Sequence, residues 1–304
     1  MKVGFVSAIL DGWTFEEVID IAHDNGFRCV EVASWPQGVA ERRYAGVTHI
    51  DVATLDDVHL GDIKDWCRDQ DVAISALGFY PNPLAADTAA SQAAISHLHK
   101  LIDASAALDV NLVGTFIGRD QHATVEDNLA RVRQIWPAII AHAESVGVRI
   151  AIENCPMLFG ADQWPGGQNI FTTPALWRRI FDMLGSESLG LNFDPSHFVW
   201  QLMDYIAPLY EFRDRLFHVH LKDIHLDRAR LNQVGSMAYP LDFMSPKLPG
   251  HGDIDWGAFI SALDDIGYDG PACIEVEDRA YESSRERILE SLVLSKRYID
   301  QFVI

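Results

Sequence analysis

"KVGFVSAILDGW", residues 2 to 13, opens the chain with a short apolar run that breaks at a serine and then at an Asp-Gly pair. A run of this length and composition reads as a first β-strand. In an open, doubly wound α/β sheet, the turn after the first strand usually carries a glycine fingerprint that cradles a phosphate. "SAILDGW" supplies none. Further short runs rich in Val, Ile, Leu or Phe follow at 28–33, 72–79, 111–117, 149–154, 189–194, 216–222 and 272–277. Amphipathic stretches alternate with them at 14–25, 55–70, 88–108, 125–145, 174–184, 256–266 and 283–303. Helix starts carry their usual signals: Glu16 and Glu17 after Thr14, Pro174 after Thr173, and Asp255 before Trp256. Eight strands alternating with helices, with no low-complexity linker or shift in composition, predict a parallel α/β fold of the (β/α)8 TIM barrel type, a single domain over residues 1–304. The longest irregular segments, 35–54, 156–172 and 225–253, each follow a strand. They are therefore expected on the C-terminal face, where barrel enzymes build their sites.

Bulk properties narrow the function. The chain has 304 residues, is 48% hydrophobic and carries a formal net charge of −20. A surface this acidic repels phosphate backbones and anionic membranes, which argues against a nucleic-acid or membrane partner. No apolar run approaches the ~18 residues of a membrane span, and the N-terminus reads as a strand rather than a signal peptide. Cys29, Cys67, Cys155 and Cys273 form no CxxC pair, so neither a zinc knuckle nor a disulfide framework is indicated. A cytoplasmic protein is expected.

The later strands end in charge. "RIAIENCP" ends its apolar run at Glu153; "LGLNFDPSH" ends at Asp194, with His197 three residues on; "FHVHLKDIH" carries His218, His220, Lys222 and His225; "ACIEVED" carries Glu275 and Glu277. Residues two apart on a strand share a face, so His218, His220 and Lys222 point together, as do Cys273, Glu275 and Glu277. The alternate positions Ile152, Phe193, Phe217, Val219, Leu221, Ile274 and Val276 are apolar and are expected to face the helices. Charge inside a barrel is costly unless it is paired or bound to a metal. Glu153, Asp194, His220 and Glu275 form an oxygen-rich set suited to Mn²⁺, Mg²⁺, Co²⁺ or Zn²⁺. His218 is expected one layer deeper, as a hydrogen-bonding group, and His225 beyond the strand.

These blocks, "IAIEN", "LNFDPSH", "HVHLKD", "PGHGDIDW" and "YDGPACIEVED", resemble in content and order those of the xylose isomerase-like TIM barrels, the superfamily of sugar-phosphate isomerases and epimerases, inosose dehydratase and endonuclease IV. The resemblance implies a divalent metal, most simply Mn²⁺, held by Glu153, Asp194, His220 and Glu275, with His197 reaching the substrate or a metal. In the family's ketose 3-epimerases, the two metal-binding glutamates also exchange the proton beside the carbonyl through a metal-stabilised enediolate. Glu153 and Glu275 match those positions. Those epimerases carry a further glutamate six residues after the first; Phe159 stands there instead. Endonuclease IV needs histidines after strands three and four, where this chain has "GFYPNP" and "GTFIGRD". An Asp-x-His pair of those enzymes is replaced by His251-Gly-Asp253.

The reading is a metal-dependent isomerase or epimerase acting on a keto-sugar or polyol. The rival is a lyase of the same superfamily, resembling inosose dehydratase or an enzyme eliminating across a 3-keto-glycoside, with His251 or His197 as general acid. A third possibility, a non-catalytic sugar-binding barrel, would be favoured by a missing metal ligand, and all four are present. His197 and Lys222 are expected to touch substrate oxygens, although Lys222 has a second reading as a charge balance for the carboxylates. Tyr80 and His251 are further substrate-binding candidates. Trp164 is placed either to stack on a sugar or to anchor the loop around it. Family members are often dimers or tetramers, so a homo-oligomer is expected.

Overall fold

A computed structural model describes residues 1–38, 44–158 and 164–303. Its strands are β1 (Lys2–Val6), β2 (Cys29–Ala33), β3 (Ala73–Gly78), β4 (Leu112–Thr115), β5 (Arg149–Glu153), β6 (Leu189–Phe193), β7 (Leu216–Leu221), β8 (Asp223–Leu226), β9 (Met244–Lys247) and β10 (Pro271–Ile274). Among the described residues, eight of them pair in parallel and close a barrel in the order β1-β10-β7-β6-β5-β4-β3-β2. The structure is a (β/α)8 barrel, as the alternation of runs implies.

The helices are α1 (Phe15–Asp24), α2 (Asp57–Asp69), α3 (Thr88–Ala107), α4 (Val125–Ser145), α5 (Pro174–Leu184), α6 (Ser196–Trp200), α7 (Ala207–Glu211), α8 (Arg228–Val234), α9 (Trp256–Asp265) and α10 (Arg285–Ile299). Their boundaries follow from capping chemistry. Thr14 Oγ1 accepts the Glu17 N–H at 3.2 Å, while Glu17 Oε2 accepts the Thr14 N–H at 2.7 Å, a reciprocal capping box. Thr173 caps α5 ahead of Pro174, which has no N–H to leave unpaired, and Gly185 in the left-handed region ends it. The long helices other than α2 each bury a stripe of side chains. On α4 the stripe is Leu129, Val132, Trp136, Ile139, Ile140 and Ala143, and the Trp136 indole N–H donates to the Ile117 carbonyl at 3.0 Å, so the largest side chain is buried without an orphan donor.

Two departures from strict alternation shape the lumen. Leu191 pairs with Leu216, but Asn192 pairs with His218, so Phe217 is an extra residue on β7. The bulge turns Phe217 inward. Its ring packs against Ala76, Leu112 and Ala151 and lies 4.5 Å beneath the Arg149 guanidinium. A Cβ on Gly190 would meet that ring at 2.5 Å. The expectation that Phe217 faces the helices is thus corrected: it floors the barrel, and the side chains above it stay in a single inward row. Ser75 is an extra residue on β3 in the same way, because Val30 pairs with Ile74 and Glu31 with Ala76.

Segment 225–253 is also more regular than its sequence implies. β8 and β9 pair antiparallel from Asp223↔Lys247 to Leu226↔Met244, with α8 between them. No helix among the described residues is long and apolar enough to cross a membrane. Removing the floor side chain by Phe217→Ala is expected to cost about 3–5 kcal/mol, the usual range for emptying a buried aromatic site. Chemical denaturation monitored by tryptophan fluorescence would show it as a lower midpoint.

Candidate metal centre and active site

The inward row of polar residues rises in layers from the Phe217 floor. His218 comes first, with Nε2 3.1 Å from Ser75 Oγ and Nδ1 3.0 Å from Asn192 Oδ1. Above it stands His220. Its Nε2 lies 2.7 Å from Glu31 Oε2, both side chains being 1% exposed. Glu31 Oε1 in turn accepts the Tyr80 hydroxyl at 2.6 Å. Two glycines leave room for this pair: a Cβ on Gly78 would meet Glu31 Oε1 at 2.6 Å, and one on Gly114 would meet Tyr80 Oη at 2.5 Å.

Glu31 was not singled out in the sequence, although "CVEVA" carries the signal used for the later strands: an acid flanked by apolar Val30 and Val32, with Cys29 and Ala33 on its own face. Burial opposes its charge, but the His220 and His218 imidazoles and the Tyr80 hydroxyl hold its carboxyl below the usual range. Tyr80 is pushed well above the ordinary phenol range, by burial first and then by the carboxylates of Glu31 and Glu153. It therefore remains a hydrogen-bond donor.

With Nε2–H directed at Glu31, His220 turns Nδ1 toward two acids, 3.4 Å from both Glu153 Oε1 and Glu275 Oε2. Ligand atoms of Glu153, His220 and Glu275 all lie within 4.8 Å of one another. Four buried atoms here, Glu153 Oε1, Asp194 Oδ2, His197 Nε2 and His220 Nδ1, have no hydrogen-bond partner of acceptable geometry. Burial opposes a charge on His220, but Glu31 and Glu275 hold its pKa well above the usual imidazole value, so these acids call for a positive charge between them. A divalent ion bound by Nδ1 and the carboxylates would supply it in place of the ring proton, and the donor set fits one.

Lys222 contributes one positive charge from above. Its Nζ lies 2.8 Å from Glu275 Oε2, 3.0 Å from Asp194 Oδ2 and 3.4 Å from Glu277 Oε2. Burial works against that charge, but Asp194, Glu275 and Glu277 hold its pKa well above the usual lysine value. Burial likewise opposes ionisation of Asp194, yet Lys222 and His197 bring its carboxyl down to about 2. For Glu153, His197, His220 and Lys222 overcome burial and keep the carboxyl well below its usual range.

Backbone links fix the strand ends around these groups. The Asp194 N–H donates to Asn154 Oδ1 at 2.7 Å and Asn154 Nδ2 returns to the Asp194 carbonyl at 2.9 Å, joining the ends of β5 and β6. Asn169 Nδ2 donates to the carbonyls of Glu153 and Cys155, which draws the following loop down. His197 Nε2 lies 3.1 Å from Asp194 Oδ2 and 3.6 Å from Glu153 Oε1. The Trp200 indole N–H donates to His197 Nδ1 at 3.5 Å, which places the proton of a neutral ring on Nε2, facing the acids.

A cavity of about 1120 Å³ opens over the cluster, lined by Tyr80, Glu153, His197, Lys222 and Glu275 among others. Two of the sequence candidates stand elsewhere. His251 is exposed, and its ring lies 6.4 Å from that of Tyr281 rather than along the cavity. Trp164 donates its indole N–H to the Met237 carbonyl at 2.7 Å and packs with Trp200, which is the anchoring role of its two readings. Phe159 lies outside the described residues.

A family model of the xylose isomerase-like TIM barrel matches residues 19–297. The chain belongs to that family. Over 137 residues it is 27% identical to an inosose dehydratase of Clostridium tetani, which covers 44% of this chain and 45% of that one. The chain thus spans about half the length of the curated relatives it matches. Among solved structures, D-psicose 3-epimerase with D-tagatose from Clostridium cellulolyticum H10 superposes with a TM-score of 0.70 at 16% identity, covering 100% of this chain and 99% of that one. An IolI protein with a bound zinc atom superposes at 0.72 with 18% identity, covering 99% of each chain. At these identities the structural likeness is a likeness of fold.

If Glu31 holds His220 in the tautomer that presents Nδ1, Glu31→Gln is expected to weaken divalent-ion binding about 10–100-fold, as for other outer partners of ligating histidines. Competition against a fluorescent chelator reads this directly. Unchanged affinity would remove Glu31 from that role.

Proposed function

We propose that this chain is a divalent-metal-dependent enzyme that moves a proton next to the carbonyl of a keto-sugar or polyol, with isomerisation or epimerisation as the outcome. The observation that carries the reading is the convergence of Glu153 and Glu275, from β5 and the end of β10, on His220 Nδ1 at the floor of the cavity. Glu153, Asp194, His220 and Glu275 would hold the ion, for which Mn²⁺ is the first choice and Mg²⁺, Co²⁺ and Zn²⁺ are alternatives, and it would supply Lewis acidity to the substrate's oxygens.

The remaining chemistry belongs to the side chains. Glu153, held ionised, is the base that removes the proton from the carbon beside the carbonyl. The C–H electron pair becomes the new C=C bond as the carbonyl π pair moves onto oxygen, giving an enediolate. Glu275, which accepts a hydrogen bond from the Lys222 ammonium on Oε2, enters the step protonated. It gives that proton to the opposite face for epimerisation, or to the former carbonyl carbon for isomerisation as the neighbouring hydroxyl proton passes to the former carbonyl oxygen. Glu153 then holds one proton and Glu275 none, and the two exchange with solvent once product leaves. His197 Nε2–H and Lys222 donate to substrate hydroxyls and fix the ring. The walls around the floor keep bulk water from the intermediate.

A second reading has its own support. The orientation of His197, with Nε2 as donor, suits a general acid that protonates a departing β-hydroxyl, and inosose dehydratases are among the relatives in sequence. Both outcomes begin with the same deprotonation.

Incubation with keto-sugars, inososes and 3-keto-glycosides in D₂O separates them. Deuterium at the carbon beside the carbonyl of recovered sugar is the expected result, and loss of water or of an aglycone would move the assignment to a lyase. Glu153→Gln is expected to slow exchange about 10²–10⁴-fold, the usual contribution of a positioned base. No exchange with any of these compounds in the presence of Mn²⁺ would overturn the proton-abstraction mechanism. A protein that binds no divalent ion and gains no thermal stability from one would overturn the metal assignment.

A further inference from the structure

The cavity joins two unlike surfaces. Its floor is the charged cluster of Glu153, His197, Lys222 and Glu275. One wall, made by Leu158, Trp200 and Met244, belongs to an apolar cluster shared with Ile224, Leu226 and Phe243. Met157 and Leu241 extend the apolar lining, and Leu241, 47% exposed, brings it to the mouth.

At about 1120 Å³, the cavity exceeds the ~300–1,000 Å³ typical of sites for drug-sized ligands. A sugar ring carries a hydroxyl on nearly every carbon. Each one pressed against apolar side chains without a partner gives up the hydrogen bonds it makes in water. The wall therefore suits a sugar ring poorly, whereas the floor, rich in acceptors and donors, suits one well. Among the described residues, Trp164 does not close the wall, because its indole is turned to Met237 and its ring packs with Trp200. At the mouth, Lys247 Nζ lies 3.6 Å from Asp278 Oδ1, so that ammonium is answered within the protein, and Arg279 is an exposed cation on the same lining.

We propose that the substrate is a glycoside-like molecule whose sugar ring, carrying the ketone that the proposed proton transfer needs, sits on the carboxylate floor and whose uncharged aromatic or aliphatic aglycone lies against the Leu158–Trp200–Met244 wall. This rests on the sugar-enzyme reading above and names the substrate class for the same site. It also assigns the β8–β9 hairpin a part in specificity, because Met244 opens β9.

The test is calorimetric titration of the full chain, with Mn²⁺ present, against matched methyl and phenyl 3-keto-β-glycosides of D-glucose, D-galactose and D-xylose. Burying a phenyl group is expected to make the phenyl member of a pair bind about 10–100-fold more tightly. Met244→Ser is expected to erase most of that preference by weakening the phenyl member far more than the methyl member. Equal binding within each pair would overturn the proposal, as would a Met244→Ser variant that weakens both members alike, or a sugar phosphate that binds more tightly than either. If no glycoside of either kind binds, the sugar reading itself falls and takes this inference with it.

Discussion

Glu31 and His220 meet at 2.7 Å in a part of the barrel where both side chains are 1% exposed. A buried carboxylate with one partner removed leaves an uncompensated charge, at a cost of about 3–5 kcal/mol, so the barrel is constrained to keep this contact intact. Much of the upper lumen follows from it. Tyr80 occupies the other carboxylate oxygen, Gly78 and Gly114 are small because Glu31 and Tyr80 pass beside them, and Asn192 reaches both Tyr80 Oη and the His220 ring. With one face of His220 committed to Glu31, its other nitrogen can only turn toward Glu153 and Glu275. The acids from β5 and the end of β10 are thus gathered by a residue on β2 that touches neither of them in the contacts described here.

How much of this was readable in the chain depends on whether a feature leaves a trace in alternation. The eight strands did, because each is a short apolar run, and in the later ones Glu153, Asp194, Lys222 and Glu275 interrupt runs whose other faces are apolar. Phe217 did not. A bulge adds one residue without changing composition, so "LFHVHL" looks regularly alternating while its second residue has changed sides. The β8–β9 hairpin also escaped notice. "MSPK" holds a proline and no β-branched residue, and all four of its residues are only half-buried, so it pairs through its backbone rather than through a pattern of side chains. Glu31 is a different case: its signal was present, but on a strand remote in sequence from the four that carry the family blocks. His251, read from the sequence as a general acid, is exposed and beside Tyr281.

Lys222 and Asp223 show how sharply one backbone step divides roles at a strand end. They are adjacent in "HLKD", and successive side chains point to opposite faces. Lys222 enters the lumen and joins the carboxylates. Asp223 turns the other way and becomes the fixed point of the following loop: its carboxylate accepts from the backbone N–H groups of Ile224, Gly250, Gly252 and Ile254 and from the Trp256 indole. A side chain at Gly252 would collide with that carboxylate, so the glycine in "PGHGDIDW" marks a close approach of backbone to acid. Burial raises the Asp223 carboxyl, and the N–H groups around it partly offset that rise. Two neighbouring charged residues on the lining of the same cavity therefore have unrelated surroundings. One joins the carboxylate cluster at the floor, and the other ties the 250–256 segment and the start of α9 to β8, at the hairpin whose Met244 lines the apolar side of that cavity.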